Sequence, residues 1–489
     1  MMLKKDDNLM EQGYWQSVQV DKRATLYARA VAGVLDTLDT FRPSLFRRKS
    51  AVLKLRRTSY LDGLRGFAAL LVYWGHHQVW SKKGIDGDEI LETAFGYKGQ
   101  YYFCQLPVVR TFFSGGHFSV CVFFVISGYV LSAKPLSLIQ SGEFTMAADN
   151  LASAMFRRFM RLHIPIICST FLYMTSWHAL GLWTDHEHQS AYRDELWKWY
   201  TELKNFTFVF STGGTPWFTY DFHVWSIPVE FRGSLIVYTA LLSFARFSTN
   251  ARLWCEMALI FYFMYIVDGW FGSLFMSGVL LCDLDLLAAN KRLPRFLSRL
   301  ESFKELIYLN LFILSLYLGG VPSHDWDINI LRDSPGWYYL SMLKPQAVFD
   351  FKWFYLFWAA TLLVASIPRL SWLKSFFELR FNQYLGRISF AFYLCHGPVL
   401  WTLGDRLYAA TGFVREVHLL AIPQWVNIMP LSQAGPFGIN AAFLVPHIIL
   451  LPLTLWLAEI FTRFIDEPSV KFTQWMYTKC CAATATIKE

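Results

Sequence analysis

An arginine and a histidine lie on one face of a helix predicted for the apolar residues 61–76. At about 100° and 1.5 Å per residue, Arg65 and His76 fall within about 20° of each other and roughly 16 Å apart along the axis. An imidazole that titrates near neutral pH can remove a hydroxyl proton. Buried ionisable groups are costly in a membrane, so the pair predicts a functional cavity with His76 as its general base. The alternative is a histidine that packs between helices and bonds a backbone carbonyl.

A second cluster of charge follows in residues 156–165. Arg158 and Arg161 are spaced i,i+3 and share a helix face, and Arg157 lies beside them. Guanidinium groups bind phosphate oxygens through paired hydrogen bonds. Arginines at a membrane boundary are also a common topology signal. At this point a topology signal and a phosphate-binding role for Arg158 and Arg161, with Arg65 as a further contact and Arg157 as an auxiliary one, both stay open.

The third motif, residues 223–232, places an acid inside an apolar stretch. Pro228 can bend the helix and free backbone carbonyls. Glu230 can orient the imidazole, bind an acceptor hydroxyl or pair with Arg232. That pairing is sterically weak because i,i+2 side chains do not face each other.

A fourth motif, residues 386–398, holds a polar stripe. Ser389, Tyr393 and His396 follow i, i+4, i+7 spacing. The serine and the histidine are about 10 Å apart along the axis, too far for a direct nucleophile–base hydrogen bond. Acceptor binding and polar packing both remain open for this stripe.

The elements that carry these residues are predicted to be membrane-spanning helices. Of 489 residues, 54% are hydrophobic, 18% aromatic and only 17% charged, which excludes an ordinary soluble protein. Many apolar runs are long enough to cross a bilayer. We therefore predict an all-α, polytopic membrane bundle of about ten transmembrane helices. Their expected segments are 60–80, 111–133, 159–183, 224–246, 252–268, 270–288, 305–321, 353–367, 387–405 and 440–464.

The charge distribution predicts the orientation and the domains. The net charge of +8 comes from basic residues dispersed between apolar segments, a pattern typical of positive-inside topology and not of nucleic-acid binding. A multi-pass protein with both termini cytoplasmic follows, in the endoplasmic reticulum or another endomembrane if the cell is eukaryotic. We divide it into a basic cytoplasmic arm (1–58) that contacts membrane lipids, a transmembrane domain (59–468) and a cytoplasmic tail (469–489).

A metal centre is not expected from the sequence. Most of the eight cysteines lie in apolar segments, where they act as small packing residues. Neither Cys-x-x-Cys nor His-Glu-x-x-His spacing occurs.

The four motifs, in this order, resemble those of the acyltransferase 3 family, the integral-membrane O-acyltransferases. The resemblance covers about residues 56–470 and is to fungal-type members without an appended soluble domain. It implies transfer of an acyl group, most simply acetyl, from acyl-CoA to a hydroxyl, with acyl-CoA as a substrate and no permanently bound cofactor. It also assigns roles: His76 and Glu230 catalytic, Arg65, Arg158 and Arg161 binding the CoA phosphates, and the acceptor contacted by Trp225, Ser226, Tyr393 and His396.

Several alternatives stay open at this point. The acceptor is expected to be a lipophilic small molecule, such as a terpenoid or another product of secondary metabolism, with a sugar or glycolipid hydroxyl as the second choice. Direct transfer is preferred to an acyl-histidine intermediate. A transporter or lipid scramblase also suits helices with proline breaks and buried charges, and a receptor or scaffold is a weaker third hypothesis.

Overall fold

Helices are the regular elements of the described chain. The computed structural model describes residues 55–83, 87–210, 217–294 and 301–485, so the predicted arm 1–58 lies outside the described residues except for its last four. We number the helices of seven or more residues as α1 Ser59–Ser81, α2 Gly116–Gln140, α3 Phe144–Leu180, α4 Tyr192–Phe206, α5 Ser226–Phe244, α6 Thr249–Phe261, α7 Trp270–Ala289, α8 Lys304–Gly319, α9 Lys352–Ser366, α10 Ser371–Phe377, α11 Arg380–Val399, α12 Asp405–Thr411, α13 His447–Phe461 and α14 Glu467–Ala485.

Shorter helical pieces complete the chain. Short α-helices are Gly87–Glu92, Thr111–Ser114, Ile328–Asp333, Tyr338–Ser341, Glu416–Ala421 and Ala441–Leu444, and 3-10 turns are Tyr97–Gly99, Phe103–Gln105, Phe222–Trp225, Glu301–Phe303, Ile367–Arg369 and Pro423–Trp425. Three π-helical turns occur in the described residues, at Tyr262–Ile266, Leu400–Gly404 and Thr462–Asp466.

Length and composition make this a helical membrane protein. Four helices of the described residues are long and apolar enough to cross a bilayer: Gly116–Gln140, Phe222–Phe244, Trp270–Ala289 and Ala441–Cys481. Lys352–Arg369 and Ser371–Phe377 form a pair bent by 102°, and counting this pair as one span gives five. Helix α1 is not among them because Asp62, Arg65 and the two histidines lower its mean hydropathy. The count of ten spans stays a prediction.

The helices extend beyond the apolar segments at their polar ends. Helix α3 starts fifteen residues before the predicted segment 159–183, so the arginine motif lies inside a long helix and not at its start. At the other end of the chain, the helical run Ala441–Cys481 crosses the predicted boundary at residue 468. Hydropathy marks the part of a helix in lipid, whereas backbone hydrogen bonding continues into the polar region.

Helix α2 is the centre of the packing, against α1, α5, α7 and α9. Its contact with α7 brings the two backbones together at Gly128 and Gly278. A Cβ on Gly128 would lie 2.0 Å from the Phe275 carbonyl oxygen, and one on Gly278 would lie 2.1 Å from the Val125 carbonyl oxygen. Small residues allow this close approach, which drives helix association in membranes.

Substitution Gly128→Ala should therefore destabilise the bundle by about 1–3 kcal/mol, the usual cost of overpacking. Gly116→Ala is the matched control on the same helix, since nothing lies within 4 Å of its added Cβ. Thermal unfolding in detergent measures both variants. Equal midpoints for the two would show that the α2–α7 contact relaxes without cost.

Glycines also bring α1 against α11, which matters for the site below. A Cβ on Gly386 would lie 2.1 Å from the Asp62 carbonyl oxygen, and one on Gly66 would lie 2.3 Å from the Gly386 backbone nitrogen. The two helices therefore touch backbone to backbone near their starts. This fixes their relative register, and with it the relative heights of His76 on α1 and His396 on α11.

Polar contacts close the far end of α1, at the end predicted to be external. Asp405 of α12 accepts hydrogen bonds from Trp80 Nε1 at 2.8 Å and from Arg415 Nη2 at 2.6 Å. Arg415 also pairs with Asp185 at 2.6 Å, which joins two loops that are distant in sequence. Burial lowers the pKa of the neighbouring loop residue His186 to about 4, so its ring is neutral at physiological pH.

Candidate functional site

Three imidazoles from three segments meet inside the bundle. His76 of α1 and His396 of α11 are joined by a hydrogen bond of 2.8 Å between Nδ1 and Nε2. His223, from the 3-10 turn that precedes α5, stacks on His76 with ring centroids 3.6 Å apart and planes within 5°. His76 is half-buried, whereas His223 and His396 are buried. His77, the neighbour of His76, turns away to bond the Tyr408 hydroxyl at 2.7 Å, because consecutive residues on a helix point about 100° apart.

Hydrogen bonding shows which ring nitrogens of His396 and His76 carry protons. His396 Nδ1 contacts the Tyr393 carbonyl oxygen at 2.6 Å, and a carbonyl can only accept, so Nδ1 carries the proton. The Nε2 atom of neutral His396 then accepts from His76 Nδ1–H. Neutral His76 therefore keeps an unprotonated Nε2, the atom that a general base needs.

The three imidazoles also have nitrogen atoms close enough to suggest a metal ion, all within 4.8 Å. An imidazole binds a metal with a lone pair in its ring plane, at about 2.0–2.1 Å. The rings of His76 and His223 are stacked with nearly parallel planes, so one ion cannot lie in both planes. In addition, His76 and His396 already bond to each other. The arrangement suits proton transfer better than coordination.

His223 is a site residue that the sequence motif contained but did not single out. Its ring lies over Trp401, 4.8 Å away, which belongs to the π-helical turn Leu400–Gly404. Its Nδ1 is buried with no hydrogen-bond partner among the described residues. Its position in the sequence could have selected it. His223 lies three residues before Ser226, at the entry to α5, and is therefore level with the end of the polar stripe on α11.

A cavity of about 240 Å³ lies beside the imidazoles, between α1, α2, α3, α5 and α11. It gathers most of the predicted site residues, and the polar ones that line it are Arg65, Ser127, Arg158, Arg161, Ser226, Glu230, Arg387, Ser389, Tyr393 and Asp466. The volume is below that of usual small-molecule pockets, about 300–1,000 Å³. It therefore suits a slender chain better than a bulky group.

Arginines line one part of this cavity. Arg161 is exposed and Arg65 is 37% exposed, so both can meet a ligand that arrives from outside. Arg65 also donates to the Gly386 carbonyl oxygen at 2.9 Å, which holds its guanidinium at the contact between α1 and α11. Asp466, in the π-helical turn Thr462–Asp466, is the cavity's second acid.

Arg158 and Glu230 form an ion pair deeper in the cavity. Each side chain is only 11% exposed. Glu230 also accepts a hydrogen bond of 2.6 Å from Ser127 Oγ, and Arg158 Nε donates to Ser234 Oγ at 2.8 Å. Glu230 thus lies with the arginines, while His396 holds the ring of His76. Arg232, its sequence neighbour, donates instead to the Val209 carbonyl oxygen at 2.9 Å.

Ser226 and Tyr393 connect the cavity to the imidazoles. Their hydroxyl groups are 2.9 Å apart and both line the cavity. The Tyr393 hydroxyl also donates to the His223 carbonyl oxygen, and its own carbonyl accepts from His396. His76 is not among the described residues that line the cavity, so Tyr393 and Ser226 form the boundary between them. Trp225, which the resemblance assigned to the acceptor, is not among the described residues that line the cavity. Its ring packs edge-on against that of Trp353, with the ring centroids 6.0 Å apart.

Comparison with known proteins decides the family. The profile of the Acyltransferase domain, Acyl_transf_3, matches residues 58–457. The chain belongs to the acyltransferase 3 family. It is therefore an acyltransferase. Membership of this family favours the enzyme hypothesis over the hypothesis of a transporter or lipid scramblase. No solved structure matches the chain.

Three fungal relatives of this acyltransferase match over most of their length. The O-acetyltransferase PaAT-1 of Phomopsis amygdali is 31% identical, over 90% of this chain and 89% of the relative. Acyltransferase clz18 of Cochliobolus lunatus is 23% identical, and acyltransferase R4 of Phoma sp. (strain ATCC 20986 / MF5453) is 22% identical. Each of these two matches covers 86% of this chain and 96% of the relative.

Proposed function

We propose that this acyltransferase moves an acetyl group from acetyl-CoA to a hydroxyl of a lipophilic small molecule, such as a terpenoid or another secondary metabolite. One observation carries the proposal: a single cavity is lined by Arg65, Arg158 and Arg161 and also by Tyr393, which bonds to His223 and His396. This arrangement supports a donor substrate whose charged phosphates and reactive thioester lie far apart.

Binding of the donor follows from the charges. The phosphates of CoA need several positive groups, and arginine binds them through two parallel hydrogen bonds. Arg161 and Arg65 are accessible for this, and Arg65 also pairs with Asp62 at 3.3 Å, while Arg158 is already paired with Glu230 deeper in the cavity. The narrow cavity suits the pantetheine chain. The thioester would then reach the boundary at Tyr393 and Ser226, whose hydroxyl groups must separate to admit it.

The reaction needs one base and no covalent enzyme intermediate. His76 Nε2 takes the proton of the acceptor hydroxyl as its oxygen attacks the thioester carbonyl carbon. The carbon–sulfur bond breaks when the tetrahedral intermediate collapses, and the CoA thiolate takes the proton back from His76. His396 accepts from His76 Nδ1–H throughout and keeps Nε2 facing the reaction.

The narrow cavity and the membrane location bear on the identity of the acyl group and of the acceptor. A cavity of about 240 Å³ suits the pantetheine chain, and a small acyl group such as acetyl would pass the boundary at Tyr393 and Ser226 more easily than a long chain. The relative of 31% identity is named an O-acetyltransferase. The membrane location favours a lipophilic alcohol, which partitions into the bilayer, over a sugar.

Release of free CoA tests the proposed function directly. Purified full-length protein is incubated with acetyl-CoA and a panel of terpenoid alcohols, and the CoA thiol and acetylated product are measured together. We expect thiol release that depends on the acceptor and equals the ester formed. Ester formation on sugars but not on lipophilic alcohols would contradict the proposed acceptor class, and no CoA release with any acceptor would contradict the donor.

Removal of one exposed guanidinium should weaken donor binding. Arg161→Gln is expected to raise the Kd for CoA by about 10- to 100-fold, since a hydrogen bond to a charged group contributes about 1.5–3 kcal/mol. The turnover number with saturating acetyl-CoA should change little. Titration calorimetry of the purified protein measures the affinity.

Arg157→Gln is the matched control for this variant. It removes the same charge from the same helix, but Arg157 lies outside the cavity and its Nε donates to the Ser153 carbonyl oxygen at 3.0 Å. Equal losses of CoA affinity in the two variants would reduce Arg161 to a general contributor of positive charge.

A further inference from the structure

Attack on a thioester places a negative charge on the carbonyl oxygen, and proton transfer to His76 does not stabilise that charge. Acyl-transferring enzymes stabilise it with hydrogen-bond donors that are already in position. Among the three clustered imidazoles, His396 has no donor to offer. Its Nδ1–H is bonded to the Tyr393 carbonyl oxygen, and its Nε2 accepts from His76. His223 is the ring that remains.

The Nε2 atoms of His76 and His223 both border open space. Neither atom has a hydrogen bond to a described residue, and neither is among the buried side-chain atoms that lack one. The two rings are stacked, with centroids 3.6 Å apart and planes within 5°. Because the rings are in contact, one small group, such as a thioester carbonyl beside a hydroxyl, can reach both nitrogens.

The surroundings of His223 determine which of its nitrogens carries the proton. Its Nδ1 is buried without a partner among the described residues and lies against Gly397, where an added Cβ would be 3.1 Å from it. Orphaned buried N–H groups are rarer in proteins than acceptors that lack a donor. Neutral His223 therefore keeps its proton on Nε2, the atom that borders open space.

Several contacts hold this ring in place. The backbone N–H of His223 donates to Asp221 Oδ1 at 3.1 Å, and its carbonyl oxygen accepts from the Tyr393 hydroxyl. The ring also packs against Trp401, with centroids 4.8 Å apart. A donor that is fixed before the reaction stabilises developing charge without a cost of reorganisation.

We propose that His223 Nε2–H donates a hydrogen bond to the carbonyl oxygen of the acetyl-CoA thioester, a role that rests on the proposed acetyl transfer. As the acceptor oxygen attacks the carbonyl carbon, the π electron pair moves onto the carbonyl oxygen, where this donor stabilises it. The pair returns when the carbon–sulfur bond breaks, and the leaving sulfur takes the proton from His76. His223 keeps its own proton throughout. It is therefore neither a second base nor a nucleophile, since both need an unprotonated nitrogen.

Three substitutions separate the hydrogen bond from the stacking. His223→Gln keeps a side-chain N–H donor but loses the aromatic ring, His223→Phe keeps a ring without a donor, and His223→Ala loses both. Loss of one oxyanion donor lowers a turnover number by about 10²- to 10³-fold. We expect that loss in the phenylalanine and alanine variants, and the glutamine variant should regain most of it.

Single-turnover ester formation and thiol release are measured on full-length protein with acetyl-CoA and an acceptor that wild type uses. CoA affinity, measured by calorimetry, should be the same in wild type and the variants, because His223 is not among the described residues that line the cavity with the arginines. Retained affinity also shows that a variant is folded. If the bulkier phenylalanine abolishes CoA binding, the alanine variant, which adds no contact, carries the same expectation.

Wild-type turnover in His223→Phe would overturn the donor role and leave stacking on His76 as the function of the ring. A folded glutamine variant as impaired as the alanine variant would overturn it too. If wild type itself releases no thiol with any acceptor, the proposed acetyl transfer fails, and this role fails with it. Activity of wild type together with activity of His223→Phe contradicts the role of His223 alone.

Discussion

Purified His76→Ala protein should bind CoA as wild type does and lose about 10²- to 10⁴-fold of its turnover number. A positioned general base contributes about that much to a rate. The loss should appear in the turnover number and not in donor affinity, since His76 is not among the described residues that line the arginine cavity. Single-turnover ester formation and CoA calorimetry on the same sample measure the two quantities.

A control variant separates catalysis from loss of a buried ring. His163 is a buried histidine in a long helix, and its Nδ1 bonds the Phe159 carbonyl oxygen of its own helix at 2.8 Å. His163→Ala should keep its activity to within a few fold. Wild-type turnover in His76→Ala would remove this residue from the mechanism, whatever the control shows.

His396 is expected to act through His76, as a positioning residue. It accepts from His76 Nδ1–H, and this bond selects the tautomer with a free Nε2. His396→Ala should lower turnover and also shift the pH dependence of turnover, because the remaining imidazole loses its fixed tautomer. A lower rate with an unchanged pH profile would give His396 a purely structural role.

Local spacing predicted which side chains share a helix face, but not which helices meet. Arg158 and Arg161 line the same cavity, as their i,i+3 spacing indicates, whereas spacing could not place Arg65 of α1 beside them. The partner of His76, by contrast, lies 320 residues away on α11. That contact depends on how Gly66 and Gly386 bring two helices together, and helical periodicity carries no such information.

Glu230 and His223 illustrate the same limit. Periodicity shows that Glu230 does not face Arg232, but it cannot show that the buried partner is Arg158 on α3. His223 lies in a 3-10 turn before the regular helix, where a spacing of 3.6 residues does not apply. Its stacking on His76 therefore could not be derived from the sequence pattern.

Loss of the Arg158–Glu230 pair should have the largest effect on stability. Both side chains are only 11% exposed, and removal of one partner from a buried pair costs about 3–5 kcal/mol, because the other charge is left without compensation. Arg158→Gln is therefore expected to lower the midpoint of thermal unfolding strongly. It should also weaken CoA binding, since it removes a cation from the cavity.

The double variant Arg158→Gln/Glu230→Gln distinguishes a counter-ion from a catalytic acid. It replaces the pair by two neutral amides, of which the one at position 230 matches glutamate in size and the one at position 158 is shorter than arginine, and both can still bond Ser127 and Ser234, so much of the lost stability should return. The double variant also restores the net charge of the cavity, because it removes one positive and one negative charge, so any loss of CoA affinity that remains in it measures a direct contact between Arg158 and the phosphates. If Glu230 only neutralises Arg158, the double variant at saturating acetyl-CoA turns over at nearly the wild-type rate. If Glu230 contacts the acceptor hydroxyl, turnover stays low in Glu230→Gln and in the double variant alike, although unfolding midpoints show that the double variant is folded. The first result would remove Glu230 from the catalytic residues, and the second would retain it beside His76.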